Sequence, residues 1–132
     1  MNPRVWAQAL QTMPKLSPSE WGELDLVARW LIATRASVLF MTFMSAALGG
    51  LLAAADGMFD WTLWSICCLG LVFAHATNNL LNDLTDSRRG IDRDNYYRNN
   101  YGVHTLEDGL LSSRQFMGYL LATGGAALAT GA

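Results

Sequence analysis

At 132 residues, 52 % of them hydrophobic and only 15 % charged, the chain carries too little charge for an ordinary soluble domain, where about a quarter of residues are charged. The net charge of −2 provides no basic excess, so nothing points to a nucleic-acid partner, and no protein partner can be inferred. Residues 36–55, 61–82 and 115–132 hold no Asp, Glu, Lys or Arg at all. The first two runs reach the roughly 20 residues that a bilayer-crossing helix needs, and the third comes close. The expected fold is all-α: a multi-pass bundle of transmembrane helices in a lipid bilayer.

Residues 1–30 read as a cytoplasmic and interfacial segment, polar and mixed up to residue 17. Ser17-Pro18-Ser19-Glu20 then marks a helix start, with Ser17 or Ser19 as cap and Pro18 in the first turn. Trp21, Leu24, Leu26, Val27, Trp30 and Leu31 recur at near-helical spacing. They fit either an amphipathic helix lying in the interface or simply the start of the first span. Span one is expected over 31–55. Residues 54–60 form a short turn, and span two runs over 61–86. Gly90 is expected to end that helix and let the chain turn. A cytoplasmic loop over 87–113, rich in Asn, Tyr, Arg and Gly, leads to span three at 114–132, capped by Ser112 or Ser113. A loop of that length is either functional or a solvated connector. The last run stops at Gly131-Ala132 without a polar flank, so the chain is expected to be the N-terminal piece of a longer protein.

The neighbouring Cys67 and Cys68 are poorly placed to pair with each other and lie in no metal-type spacing, so they read as packing residues. No signal peptide is evident, because charged residues precede the first apolar run. The N-terminal flank holds Arg4, Lys15, Arg29 and Arg35, and the second loop holds Arg88, Arg89, Arg93, Arg98 and Arg114, whereas the turn at 56–60 holds only Asp56 and Asp60. By the positive-inside rule the N-terminus and the second loop face the cytoplasm, and the turn faces outward with Trp61 and Trp64 anchoring it. The expected location is the cell (inner) membrane.

The most informative stretch is Asn79-Leu-Leu-Asn82-Asp83-Leu-Thr-Asp86-Ser-Arg-Arg89-Gly90-Ile-Asp92. Polar groups at membrane depth are costly and tend to be functional. On a helix turning about 100° per residue, with His75 at zero, Asn78, Asn79, Asn82, Asp83 and Asp86 fall between about −60° and +80°. Asp83 and Asp86, three apart, project from one face. Two close carboxylates repel unless a cation lies between them, and Mg²⁺ characteristically takes one or two carboxylates plus substrate phosphates. Asn79 and Asn82 add neutral oxygens or donors, Asp92 can swing back past Gly90, and the arginines suit an anion that the metal would hold. Asn79, Asp83 and Asp86 are therefore expected to converge on one polar cavity.

The bland alternative, interfacial salt bridges between aspartates and arginines, explains two carboxylates but not the whole pattern. His75 alone reads as an interior hydrogen-bonded residue and stays outside the metal set. An EF-hand fails, since Arg88 would stand at its third ligand position. There is no P-loop and no zinc spacing.

The stretch from Asn82 to Asp92 resembles the first aspartate-rich motif of the UbiA superfamily of intramembrane prenyltransferases. The Gly90-Ile-Asp92 insertion is closest to the MenA-like branch, the naphthoate prenyltransferases of menaquinone biosynthesis. Asp94-Asn-Tyr-Tyr-Arg98, Leu106-Glu-Asp-Gly-Leu-Leu-Ser112 and Arg35-Ala-Ser-Val38 also look like that family. The resemblance implies about nine spans around a central cavity, of which these would be the first three. Two facing aspartate-rich motifs would hold Mg²⁺ and an isoprenyl diphosphate, the second lying beyond this chain. Asn79, Asp83 and Asp86 match metal and diphosphate positions, with Asp83 and Asp86 as candidate catalytic residues. Asp92 matches the last Asp of the motif, and Arg35, Arg89 and Asn82 would contact substrate.

The expected activity is Mg²⁺-dependent transfer of an isoprenyl group from its diphosphate to an aromatic or other lipid-pathway acceptor, as in quinone biosynthesis. The alternative is part of a transporter or channel whose Asp/Asn stripe binds a cation in transit.

Overall fold

A computed structural model describes residues 3–90 and 103–131. Among the described residues six helices follow in order: α1 (Pro3–Gln11), α2 (Pro18–Glu23), α3 (Leu26–Ala33), α4 (Ala36–Ala55), α5 (Trp61–Arg89) and α6 (Ser113–Gly131). Among the described residues there is no strand.

The short N-terminal helices are set by their caps. Ser17 caps α2 through a capping box: its side chain accepts from the Glu20 N–H, and the Glu20 carboxylate accepts from the Ser17 N–H at 2.8 Å. Pro18 sits in the first turn, where its missing N–H costs nothing. Asp25 caps α3, accepting from the Ala28 N–H at 2.9 Å, and it also accepts from the Trp6 indole of α1 at 3.0 Å. That second bond ties α1 to the start of α3. The segment read as polar and mixed thus carries a helix of its own. The apolar run 21–31 is split at Leu24 and Asp25 into α2 and α3.

The stretch 31–55 is likewise not one helix. It breaks at Thr34 and Arg35, and the long apolar helix begins at Ala36. Arg35 has φ 55 and ψ 54, a left-handed backbone unusual for a residue with a β-carbon. The turn between α4 and α5 uses Gly57 at φ 69, and Asp60 accepts from the Leu63 N–H at 2.8 Å to start α5. Gly90, at φ 65, ends α5 in the left-handed conformation that glycine takes without strain.

Two helices are long and apolar enough to cross a membrane, Ala36–Ala55 and Trp61–Arg89. At about 1.5 Å per residue α5 is about 43 Å long, more than the roughly 30 Å hydrocarbon core, so about two turns of an upright helix would extend into the polar boundary. α6, which is richer in Gly, Ser, Thr and Gln, is a 19-residue helix but does not meet the same measure.

α5 packs between α4 and α6, and small residues let the backbones approach. A β-carbon on Gly50 would meet the Trp64 ring, one on Gly70 would meet Thr130, and Gly124 lies against Thr77. Small residues serve this role at membrane helix contacts, where apolar burial alone offers little. Phe43, Phe59, Trp61 and Trp64 cluster at the turn end of the α4–α5 hairpin, and the Trp64 indole donates to the Ala46 carbonyl at 2.9 Å. The main core lies at the opposite end. There Ala9, Trp21, Ile32, Ala33, Leu80, Val103, Leu110, Leu111 and Phe116 close over the last turns of α5. The molecule therefore has an aromatic end and a polar, capped end, and the candidate site is at the second.

Candidate functional site

Four elements meet at the capped end: the α3–α4 break, the C-terminal half of α5, the segment 103–112 and the start of α6. The segment 103–112 is a compact turn. Leu110 and Leu111 both donate to the Thr105 carbonyl at 3.0 Å, Gly109 takes φ 66, and the Asp108 carboxylate accepts from the His104 N–H at 3.1 Å. Ser112 then starts α6, its hydroxyl accepting from the Gln115 N–H while the Gln115 side chain accepts from the Ser112 N–H. The turn presses Val103, Leu110 and Leu111 into the core and delivers Thr105, fully buried, to α5.

Asp83 is the centre of the arrangement. It is 3 % exposed. Its Oδ2 accepts from the Thr105 hydroxyl at 2.9 Å, and its Oδ1 lies 3.7 Å from Arg35 Nη2 and 3.5 Å from His104 Nδ1. A buried carboxylate is strongly disfavoured unless paired and hydrogen-bonded, and these neighbours supply the compensation. One turn back, the buried Asn79 donates from Nδ2 to the Thr34 carbonyl at 2.9 Å. That carbonyl belongs to the residue at the helix break, so Asn79 stabilises the break from which Arg35 reaches Asp83.

The structure therefore brings Asn79, Asp83 and Arg35 together. Asp86 is half-buried one turn further along, while Asn82 and Arg89 are exposed. Asp92 lies outside the described residues, as do Arg93 and the Asp94–Arg98 stretch. The sector of six polar groups is only partly a buried face, and the physical reason is the packing around α5. The buried residues of its C-terminal half, Ala76, Asn79, Leu80 and Asp83, centre about 90° from His75 at 100° per residue. Asn78 and Asn82 point past the edge of that face. Thr105 and His104 were not visible from sequence, because their approach to Asp83 is made by the fold of the turn. The only local signal was the Asp108-Gly109 pair, which marks a turn without saying where it docks.

The donor chemistry suits Mg²⁺. Asp83 and Asp86 come from successive turns of one helix, and Mg²⁺ needs only one or two carboxylates when waters and phosphates complete its shell. The contacts of Asp83 Oδ1 at 3.5 and 3.7 Å are too long for good hydrogen bonds, so this oxygen keeps acceptor capacity. Among the described residues no group of three or more His, Cys, Asp or Glu side chains could hold a metal by themselves.

Residues 42–132, most of the chain, match the UbiA prenyltransferase family. The chain belongs to that family. Comparison with curated proteins and with solved structures gave no match. UbiA membership points to an intramembrane prenyltransferase, and it accords with the two apolar candidate spans α4 and α5. UbiA enzymes act on isoprenyl diphosphates and lipid-type acceptors and are generally Mg²⁺-dependent. The matched region holds Asn79, Asp83, Asp86 and the turn that carries Thr105. Arg35 lies just before it.

Proposed function

We propose that the protein transfers an isoprenyl group from its diphosphate to an aromatic acceptor of quinone-type biosynthesis, in the manner of the MenA-like branch, with the diphosphate held at the Asp83 end of α5. The single observation that carries this reading is the buried carboxylate of Asp83, held by Thr105 beside Arg35 at the polar end of a membrane-length helix, within the UbiA match. Mg²⁺ held by Asp83 and Asp86, with Asn79 beside them, would supply Lewis-acid charge to the leaving diphosphate.

The chain's own residues do the rest. Thr105 fixes one oxygen of Asp83, so that the other presents a defined direction. Arg35 stands beside that oxygen with its side chain one-quarter exposed, placed to exchange a carboxylate contact for a phosphate contact when the anion arrives. Arg89, exposed at the end of α5, is a second cation for the diphosphate, and Asp92 completes the motif. Ionisation of the C–O bond releases diphosphate and leaves an allylic cation. The acceptor attacks that carbon and then loses a proton. The apolar walls of α4 and α5 keep water from the cation. In this reading the Asp83 end is cytoplasmic and the aromatic turn faces outward. A second aspartate-rich motif, expected from the resemblance, would face this one across the cavity.

Binding decides the matter. In nanodiscs, pyrophosphate with Mg²⁺ should raise the midpoint of thermal unfolding, and neither alone should do so as strongly. Equal response to pyrophosphate with and without the metal would remove the proposed site. The cation-transport alternative has no separate observation in its favour.

A further inference from the structure

One polar group on α5 has no part in holding the diphosphate. His75 lies fourteen residues from Trp61 and eight from Asp83, about 21 Å and about 12 Å along the helix, so it sits inside the hydrocarbon. It is half-buried, and its Nδ1 is hydrogen-bonded to the Thr42 hydroxyl of α4. Among the described residues that is the only hydrogen bond of the ring, so Nε2 keeps its full capacity. On the helix surface His75 heads a strip that continues through Asn78, Asn82 and Asp86. Asn78 and Asn82 are exposed, and Asp86 is half-buried. At about 100° per residue the four lie within about 80° of one another. Polar groups turned to lipid are costly and rare, so a strip of this kind is expected to face the bundle interior, and Asn78 lines a cavity between α5 and α6. The strip's lower end reaches the carboxylates, and its upper end stops at an imidazole whose orientation Thr42 fixes.

We propose that His75 is a binding residue for the acceptor's head group, with Nε2 hydrogen-bonded to an oxygen function of that group and Thr42 as its positioning residue. This rests on the prenyl-transfer reading. Placing the diphosphate at Asp83 leaves the allylic carbon pointing up α5, toward Asn79 and Asn78, and an aromatic ring held by its oxygen at His75 spans the remaining gap. The imidazole supplies what the neighbouring apolar side chains cannot, a hydrogen bond of fixed direction inside the membrane. Such a bond discriminates strongly against analogues that lack the oxygen, because the site's polar group is then left unpaired.

The test uses the protein in nanodiscs with two probes, 1,4-dihydroxy-2-naphthoate for the acceptor and pyrophosphate with Mg²⁺ for the donor end. Binding of each is read by thermal shift and by titration. His75→Leu should weaken naphthoate binding by about tenfold or more, given the worth of a buried hydrogen bond to an unpaired partner. His75→Gln, which keeps a donor and an acceptor, should recover part of that loss. Thr42→Val should weaken naphthoate binding by a smaller factor, and pyrophosphate binding should stay within twofold in all three. Unchanged naphthoate affinity in His75→Leu overturns the assignment, as does a parallel loss of both probes. If pyrophosphate fails to bind the wild type, the prenyl-transfer reading fails, while the naphthoate series still decides the role of His75 on its own.

Discussion

Removing the guanidinium of Arg35 should destabilise the protein by about 2 kcal/mol, and replacing Asp83 by Asn should cancel most of that cost. Arg35 Nη2 lies 3.7 Å from Asp83 Oδ1. At an effective dielectric of about 20 the gross Coulomb attraction at that distance is about 4.5 kcal/mol. Leaving a buried charge unpaired typically costs about 3–5 kcal/mol. The Arg35 side chain is 25 % exposed, so solvent screens part of the attraction, and Thr105 and His104 continue to support the carboxylate. These discounts bring the expected loss in Arg35→Ala to about 2 kcal/mol. In an Asp83→Asn background there is no charge to abandon, and the same change should cost under about 0.5 kcal/mol, a coupling of about 1.5 kcal/mol. Arg35→Gly separates a second effect. It loses the same ion pair but relieves the left-handed backbone at φ 55, so it should be about 1 kcal/mol more stable than Arg35→Ala. The assay is equilibrium unfolding in detergent micelles for the four corners of the cycle plus Arg35→Gly. Equal losses from Arg35→Ala in both backgrounds would refute the pairing. A glycine variant no better than alanine would refute the strain.

Gly50→Val should push α4 away from α5, since a β-carbon there would lie 2.5 Å from the Trp64 indole nitrogen. A loss of about 1–3 kcal/mol is expected in the same unfolding assay, whereas Gly49→Ala, which meets nothing within 4 Å, should lose little. In a background free of Cys67 and Cys68, a cysteine at position 57 should react with an impermeant reagent from outside the cell and one at position 100 should not; the reverse pattern would invert the orientation. The Glu20 carboxyl is held below its usual range by the Ser17 hydroxyl and then by the Ser17 N–H. Its stabilisation is therefore full above the unfolded-state value of about 4.3 and is lost as pH falls through the lower folded value. Ser17→Ala should flatten that acid limb, which a pH series of unfolding midpoints will read.

What the sequence made legible was local chemistry. The Ser17-Pro18 start, the Asp56–Asp60 turn and the Gly90 stop are each written in residues that cap or turn by themselves, and each stands where it was read. The two long apolar runs are helices for the same reason. The breaks at Leu24–Asp25 and Thr34–Arg35 carry no glycine or proline. The second is supported from a distance, by Asn79 on the Thr34 carbonyl and by Asp83 beside Arg35, and no local pattern encodes such contacts. Helical spacing puts Asn79, Asp83 and Asp86 in one sector of α5, where Asn79 and Asp83 are buried and Asp86 is half-buried. That spacing does not say which side of the sector α3, α4 and the 103–112 turn cover, so the exposure of Asn82 beside the buried Asp83 is not legible in it. Thr105, twenty-two residues from Asp83, is reached only through a turn whose docking depends on Val103, Leu110 and Leu111 entering the core.

The most direct test is diphosphate release during prenyl transfer by the full-length protein, which would carry the second aspartate-rich motif, measured in nanodiscs with geranylgeranyl diphosphate, 1,4-dihydroxy-2-naphthoate and varied Mg²⁺, for wild type and Asp83→Asn at matched protein levels. Wild type should release diphosphate only when Mg²⁺ is present. Asp83→Asn, nearly the same size and still polar, should fold normally and lose about 10²–10³ in turnover, the scale set by losing one preorganised charge-stabilising group. Turnover near the wild-type level in Asp83→Asn at saturating Mg²⁺ would contradict the placement of the diphosphate at this carboxylate and leave Asp83 as one arm of a structural salt bridge with Arg35.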